Sequence, residues 1–193
     1  TVDEAIAAGE RLGWDVVLKA TAPHLRFRPD LSDVWRNIDT PDEMRDAWTT
    51  LSRTLADPAE AKFVVQKMAS PGIPVVIRAQ EDELFGPVVS FGMSGVPTDL
   101  LGDRSYRIPP LTDVDAREMV HEIKAVPLLL GYRGGAVADL AAIEDLLHRV
   151  SRLIDDLPEV VDLELTPILI ATEGYSLVNG SATVAPPGER SDW

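Results

Sequence analysis

Residues 161–167 read Val-Asp-Leu-Glu-Leu-Thr-Pro, and Asn179 follows twelve positions after Pro167 in Leu-Val-Asn-Gly. Glu164, Thr166 and Asn179 are oxygen donors of the kind that gather at a metal-bound phosphate, yet only Glu164 is a carboxylate. Mg²⁺ is a hard cation usually held through one or two carboxylates together with phosphate oxygens and waters. A metal-phosphate site built from these three would be short of carboxylates. Lys19, in the apolar run of residues 14–21, is a second candidate. A lysine brings a point charge to a phosphate, although one at a strand end equally snorkels to solvent.

Other constellations fall away on spacing. There is no GxxxxGK[ST], GxGxxG or HExxH, so the common phosphate-loop, dinucleotide and zincin chemistries lack their minimal residues. His24, His121 and His148 are too scattered for a metal cluster and read as surface or packing residues. Gly92-Met93-Ser94-Gly95 invites a nucleophile elbow but misses the GxSxG spacing, so it reads as a turn. The chain has 18 basic and 32 acidic residues, 18 − 32 = −14, which repels phosphate backbones and anionic membrane surfaces over most of the surface. Nucleic acid and membrane are not expected partners. With no cysteine there is neither a disulfide framework nor a thiolate metal site, which suits a cytoplasmic protein. No apolar run reaches the roughly 20 residues of a membrane span. The start, Thr-Val-Asp-Glu, has no basic leader segment and no initiator Met, so a piece of a larger polypeptide is expected.

The elements that would position these residues follow from periodicity and punctuation. Val2, Ile6 and Leu12 form a helical stripe ending at Gly13, residues 14–21 a strand, and residues 34–38 its partner. Thr40-Pro41-Asp42-Glu43 is a capped helix start leading to Met44, Trp48, Leu51 and Leu55. Strands are predicted at 63–68, 75–79 and 87–91, separated by Pro71-Gly72 and by the charged stretch 80–83. Helices follow over 116–123, capped near Thr112, and over 140–154, where Ile143, Leu146, Leu147, Val150 and Ile154 recur at i, i+3, i+4. Strands return at 160–170 and 175–178. This order predicts an α+β or mixed α/β architecture in two lobes.

Six segments, in order, carry a resemblance to the ATP-grasp domain of the NDP-forming acyl-CoA synthetases, the ADP-forming acetate–CoA ligases. They are Val-Val-Leu-Lys at 16–19, Val-Val-Gln-Lys-Met at 64–68, Phe-Gly-Pro-Val-Val-Ser-Phe-Gly at 85–92, Tyr-Arg-Ile-Pro-Pro-Leu-Thr-Asp at 106–113, Leu-Leu-Leu-Gly-Tyr-Arg-Gly at 128–134 and Glu-Leu-Thr-Pro at 164–167. The resemblance covers nearly the whole chain and implies an ATP-grasp fold. Its first lobe would span 1–66, incomplete at its N-terminus because the match begins late, its second lobe 67–185, and a polar tail 186–193. It implies ATP or ADP with Mg²⁺ held between the lobes, and a phosphoryl group passed to or from a histidine on a separate part of the enzyme. Lys19 would approach the α and β phosphates, and Gln66, Lys67 and Met68 would form the hinge beside adenine. Arg107 and Arg133 would bind phosphate or instead pair with acidic residues. The glycine-rich run 131–135 would lie near a ligand or form a structural turn. Implied partners are CoA-binding and phosphohistidine-bearing domains of the same polypeptide or complex. Similar regions are fused to GNAT-type acetyltransferases in bacterial protein acyltransferases, so an acetyltransferase neighbour is also expected.

Departures from the family pattern shape the functional expectation. Where the family reads His-Lys-x-Asp-x-Gly-Gly-Val, residues 27–34 place Phe27 at the histidine, Arg28 at the lysine, and Ser32-Asp33 at the glycines. A phenyl ring cannot accept a phosphoryl group. Arg28 keeps a positive charge and is counted with the nucleotide-binding residues. Pro74 and Arg78 stand where the family has glutamate and glycine, and Asp99 stands for a glutamate. Thr166 and Asn179 replace the asparagine and aspartate that bind magnesium in the related succinyl-CoA synthetases, and Ser181 replaces an arginine. Asp99, Thr166 and Asn179 are the degraded metal set, and Glu164 is the remaining catalytic candidate. Phosphoryl transfer depends on a metal between the β and γ oxygens. The expectation is thus a decayed ligase domain, a pseudoenzyme inactive in isolation, serving as a regulatory or structural module with nucleotide and metal held weakly or lost. Two rivals are an active phosphotransfer domain using Lys19, Arg28, Asp99 and Glu164, and a scaffold that binds no nucleotide.

Overall fold

A computed structural model describes residues 1–20, 34–54, 62–95 and 100–186. Helix α1 (Val2–Leu12) starts in a capping box: the Thr1 hydroxyl accepts the Glu4 N–H, and the Glu4 carboxylate takes the Thr1 ammonium at 2.7 Å. Gly13, at φ 75°, closes it in the left-handed conformation. The chain turns into β1 (Val16–Ala20), which pairs antiparallel with both β2 (Val34–Ile38) and β3 (Phe63–Lys67), giving the order β2-β1-β3. Between them lies α2 (Pro41–Thr54), whose Thr40 and Glu43 bond reciprocally and whose Pro41 needs no N–H partner. Ile6, Val16, Leu18, Ile38, Met44 and Leu51 make this unit's core. Because strand side chains alternate, Val17 and Lys19 point to the opposite face.

The chain divides by its contacts after Met68. The second unit is an antiparallel sheet of β4 (Ile73–Asp82), β5 (Gly86–Met93), β6 (Arg104–Arg107), β7 (Val160–Ile170), β8 (Tyr175–Leu177) and β9 (Gly180–Val184). The order is β6-β5-β4-β7, with β8 and β9 each pairing a different stretch of β7. Helix α3 (Asp113–Glu122), the short α4 (Val126–Leu129) and α5 (Leu140–Asp156) pack their apolar residues with one face of the sheet. Val75, Ile77, Phe91, Met119, Leu147 and Ile168 are fully or almost fully buried in that core. The stripe expected on α5 is the buried one, and Thr112 caps α3 through Asp115. The α+β, two-unit architecture is the predicted one.

Two expectations on strands need correction. Residues 80–82, read as part of a connecting stretch, continue β4 and pair with 86–88 of β5. Their charge is tolerated because this end of the hairpin runs out beyond the buried residues, and the turn is closed by Asp82, whose Oδ1 accepts the Leu84 and Phe85 N–H groups. Strands β6 and β9 carried no apolar alternation to read. They are Arg-Ser-Tyr-Arg and Gly-Ser-Ala-Thr-Val, recruited by pairing with β5 and β7, and all of β9 is exposed.

Candidate nucleotide and metal site

In the first unit, Lys19 donates from Nζ to Gln66 Oε1 at 2.9 Å. Lys19 lies opposite Val64 and Val17 opposite Gln66, so the two are diagonal neighbours on the face away from the helices. Partial burial, and then the charge of Arg36, hold the Lys19 ammonium below the ordinary lysine range. A lysine kept partly dry and hydrogen-bonded to a neutral amide is suited to an anionic ligand. Lys67 and Met68, next to Gln66, are tied down: Lys67 Nζ donates to the Trp14 carbonyl at 2.6 Å, and the Met68 N–H to the Asp15 carbonyl at 2.9 Å. Trp14 and Asp15 both have positive φ, 56° and 52°, so these bonds secure the strained turn that launches β1. Arg28 and Phe27 lie outside the described residues.

In the second unit the register lines up one row across the face opposite the helices. Tyr106 opposes Ser90, Ser90 opposes Arg78, Arg78 opposes Glu164, and Glu164 opposes Ser181. Arg78 and Glu164 form an ion pair through Nε and Oε2, with the side chains 37% and 29% exposed. The buried Nε has no acceptor aligned with its N–H, so the contact is one of charge rather than a directed hydrogen bond. Beside it, β7 carries a bulge: Val75 pairs with Ile168 but Ile77 with Leu165, leaving two residues, Thr166 and Pro167, against one. Thr166 Oγ1 lies 3.0 Å from Ser94 Oγ, and its N–H donates to the Asn179 carbonyl at 3.0 Å. Asn179 itself is exposed.

The described residues near the implied magnesium position keep partners within the chain. Glu164 is engaged by a guanidinium, the Thr166 hydroxyl by another hydroxyl, and among the described residues no three His, Asp or Glu side chains group as ligands. Asp99 lies outside the described residues. Arg107 is bound by acids: Glu122 at 2.9 Å, Glu118 at 3.3 Å and Asp115 at 3.8 Å. The Glu122 hydrogen bond above all holds its proton more firmly than usual. Of the two roles left open for this arginine, the structure displays the ion pair. Arg133 has φ 54° and sits 5.3 Å from the Tyr132 ring centroid, in a turn where Gly134 and Gly135 donate back to Gly131 and Tyr132.

The sequence offers no reading of Asp162, exposed opposite Gln80, gives Ser94 only as part of a turn, and shows Arg78 without its partner. A signal existed, since Val75, Ile77 and Ala79 alternate with Arg78, and Leu163 and Leu165 with Glu164, placing opposite charges on the outward faces of two strands.

An antiparallel sheet with helices on one face, joined to a smaller three-stranded unit, is the architecture of ATP-grasp proteins, and residues 1–184 match the ATP-grasp domain family. The chain is 36% identical to the beta subunit of ADP-forming acetate–CoA ligase II of Pyrococcus furiosus, over 97% of its own length and 82% of that subunit. Against ADP-forming acetate–CoA ligase I of Archaeoglobus fulgidus it is 39% identical over 92% of its length, but spans only 26% of that longer protein. The dinucleotide-forming acetyl-coenzyme A synthetase 1 of Ca. Korarchaeum cryptofilum, solved with coenzyme A and Ca-AMPCP, superposes with a TM-score of 0.86 at 31% identity, covering 96% of this chain and 82% of that one. The chain belongs to the ATP-grasp domain family. Within it, this is the ATP-grasp domain of an NDP-forming acyl-CoA synthetase.

Proposed function

We propose that this domain holds a nucleotide within an acyl-CoA synthetase assembly but has given up metal-dependent phosphoryl transfer, and serves there as a regulatory or structural module. The observation that carries the reading is the Arg78–Glu164 ion pair, which engages the carboxylate left as the catalytic candidate. Thr166 and Asn179 add no negative charge, and a divalent ion between β and γ phosphates needs carboxylates to anchor it. Lys19, partly buried and hydrogen-bonded to the neutral amide of Gln66, supports retention of an anion in the first unit.

The partners in this reading are CoA-binding and phosphohistidine-bearing domains of the same polypeptide or complex. A second structure of the Ca. Korarchaeum cryptofilum synthetase supports that choice: it contains coenzyme A and Mg-AMPPCP, with a phosphohistidine segment pointing towards the nucleotide binding site. An acetyltransferase neighbour has no counterpart in the names of the relatives above and does not enter the reading. The rival is an active phosphotransfer domain, favoured by 36% identity to a ligase subunit over 97% of the chain. Incubation with γ-labelled ATP, Mg²⁺ and a phosphohistidine-bearing partner domain separates the two. Label on the histidine no greater than without the domain is expected, and stoichiometric labelling would establish the rival.

A further inference from the structure

Strands β4 and β7 are the pair in the middle of the second sheet, and Arg78 and Glu164 face each other directly across them. Ser90, 7% exposed, continues the row on β5, and Ser181 continues it on β9. A carboxylate only 29% exposed, on a chain of net charge −14, is a place where a cation is needed. Here that cation is part of the chain. The guanidinium is covalently part of the chain, so unlike a metal it cannot be chelated away.

Its position has two consequences. A divalent ion approaching Glu164 meets a fixed positive charge in contact with the same carboxylate, which opposes its entry. And Arg78, whose Nε is buried without an aligned acceptor, keeps 37% of its side chain exposed on the sheet face away from the helices. A guanidinium fork matches phosphate oxygens. Glu164 and the nearby Asp162 oppose an anion there, so the phosphate competes with Glu164 for the arginine.

We propose that Arg78 is the built-in cation of this sheet face, excluding a divalent metal from Glu164 so that the polyphosphate the domain takes is metal-free. The identity of the anion rests on the nucleotide reading above; the exclusion of metal does not. The two accounts of Glu164 predict opposite signs. If Glu164 anchors a metal, Glu164→Gln weakens binding of the metal–nucleotide complex. If it competes with phosphate for Arg78, the same change tightens binding of free ATP.

The test is calorimetric titration of the whole chain with ATP in EDTA and in Mg²⁺, and separately with Mn²⁺ alone. The expected result is apparent ATP affinity weaker in Mg²⁺ than in EDTA, because Mg²⁺ withdraws free ATP, and in EDTA about tenfold tighter for Glu164→Gln and about tenfold weaker for Arg78→Gln. Arg78→Lys, which keeps the charge, retains most of the affinity and shows that loss in Arg78→Gln is not misfolding. Arg78→Gln also gains Mn²⁺ binding that the unaltered chain lacks. ATP binding that requires Mg²⁺ and is weakened by Glu164→Gln overturns the inference, as does an Arg78→Gln variant that takes up no more Mn²⁺ than its parent. If the parent binds no ATP in either buffer, the nucleotide reading fails, and the Mn²⁺ titration alone decides whether Arg78 excludes metal.

Discussion

Replacing Leu147 by Ala tests whether α5 supports the sheet that carries Glu164 and Thr166. Leu147 has no exposed surface and shares the buried face of α5 with Ile143, Leu146, Val150 and Ile154. The substitution removes three carbons, worth about 2.4 kcal/mol at roughly 0.8 kcal/mol per buried CH₂ group. Leu147 belongs to a core that includes Val75, Ile77, Phe91 and Ile168 from three strands, so the hole cannot close without moving the sheet. The cavity adds to the loss, placing the total at about 2–5 kcal/mol. Leu153, on the same helix but 37% exposed, is the control. Leu and Ala differ little in helix propensity, so Leu153→Ala is expected to cost about 1.5 kcal/mol at most, from the part of the side chain that is covered, with no enclosed cavity to add. The chain supplies its own probes: Trp14, Trp35 and Trp48 lie in the first unit, and Tyr106, Tyr132, Tyr175 and Trp193 in the second. Urea unfolding is followed in a Trp193→Phe background, where tyrosine near-ultraviolet circular dichroism reports the second unit and tryptophan fluorescence the first. A Leu147→Ala loss below about 0.5 kcal/mol, in the usual surface range, would refute the packing argument.

Lys19→Ala is expected to weaken ATP binding about 10–150-fold, from the roughly 1.5–3 kcal/mol of a charge-assisted hydrogen bond, whereas EDTA changes it little. Calorimetry that shows the reverse dependence moves the metal-dependent enzyme ahead. Because the Lys19 pKa is lowered below 10.5 in the folded state, the unfolded chain binds more protons in the alkaline window just under that value. Stability attributable to Lys19 therefore rises with pH through that window, and Lys19→Met should remove this rise from a series of urea midpoints. Arg107→Ala leaves Glu122, Glu118 and Asp115 without their shared cation. With its side chain 26% exposed and its partners more so, the loss is expected near 1 kcal/mol or less in urea unfolding, with ATP affinity unchanged.

Much of this molecule is written locally. Thr1 with Glu4, Thr40 with Glu43 and Thr112 with Asp115 start three helices through bonds spanning three residues, and Gly13 ends the first. The stripe from Ile143 to Ile154 and the alternation along β4 and β7 follow from helix and strand periodicity, so the elements and their buried faces could be read from the chain. The ordered segments carrying Lys19, Gln66 and Glu164 likewise sufficed to point to the family. What the chain alone left open was the company each side chain keeps. Arg107 had two roles on paper, and the packing of α3 beneath β6 brings three carboxylates to it. Arg78 and Glu164 are 164 − 78 = 86 positions apart, and no local rule pairs them. Their opposition depends on the register of β4 against β7, which the bulge at Thr166 and Pro167 resets by one residue. A one-residue slip exchanges the two faces of a strand. Side-chain periodicity thus determined which residues point outward, but only the assembled sheet decided that this glutamate meets an arginine.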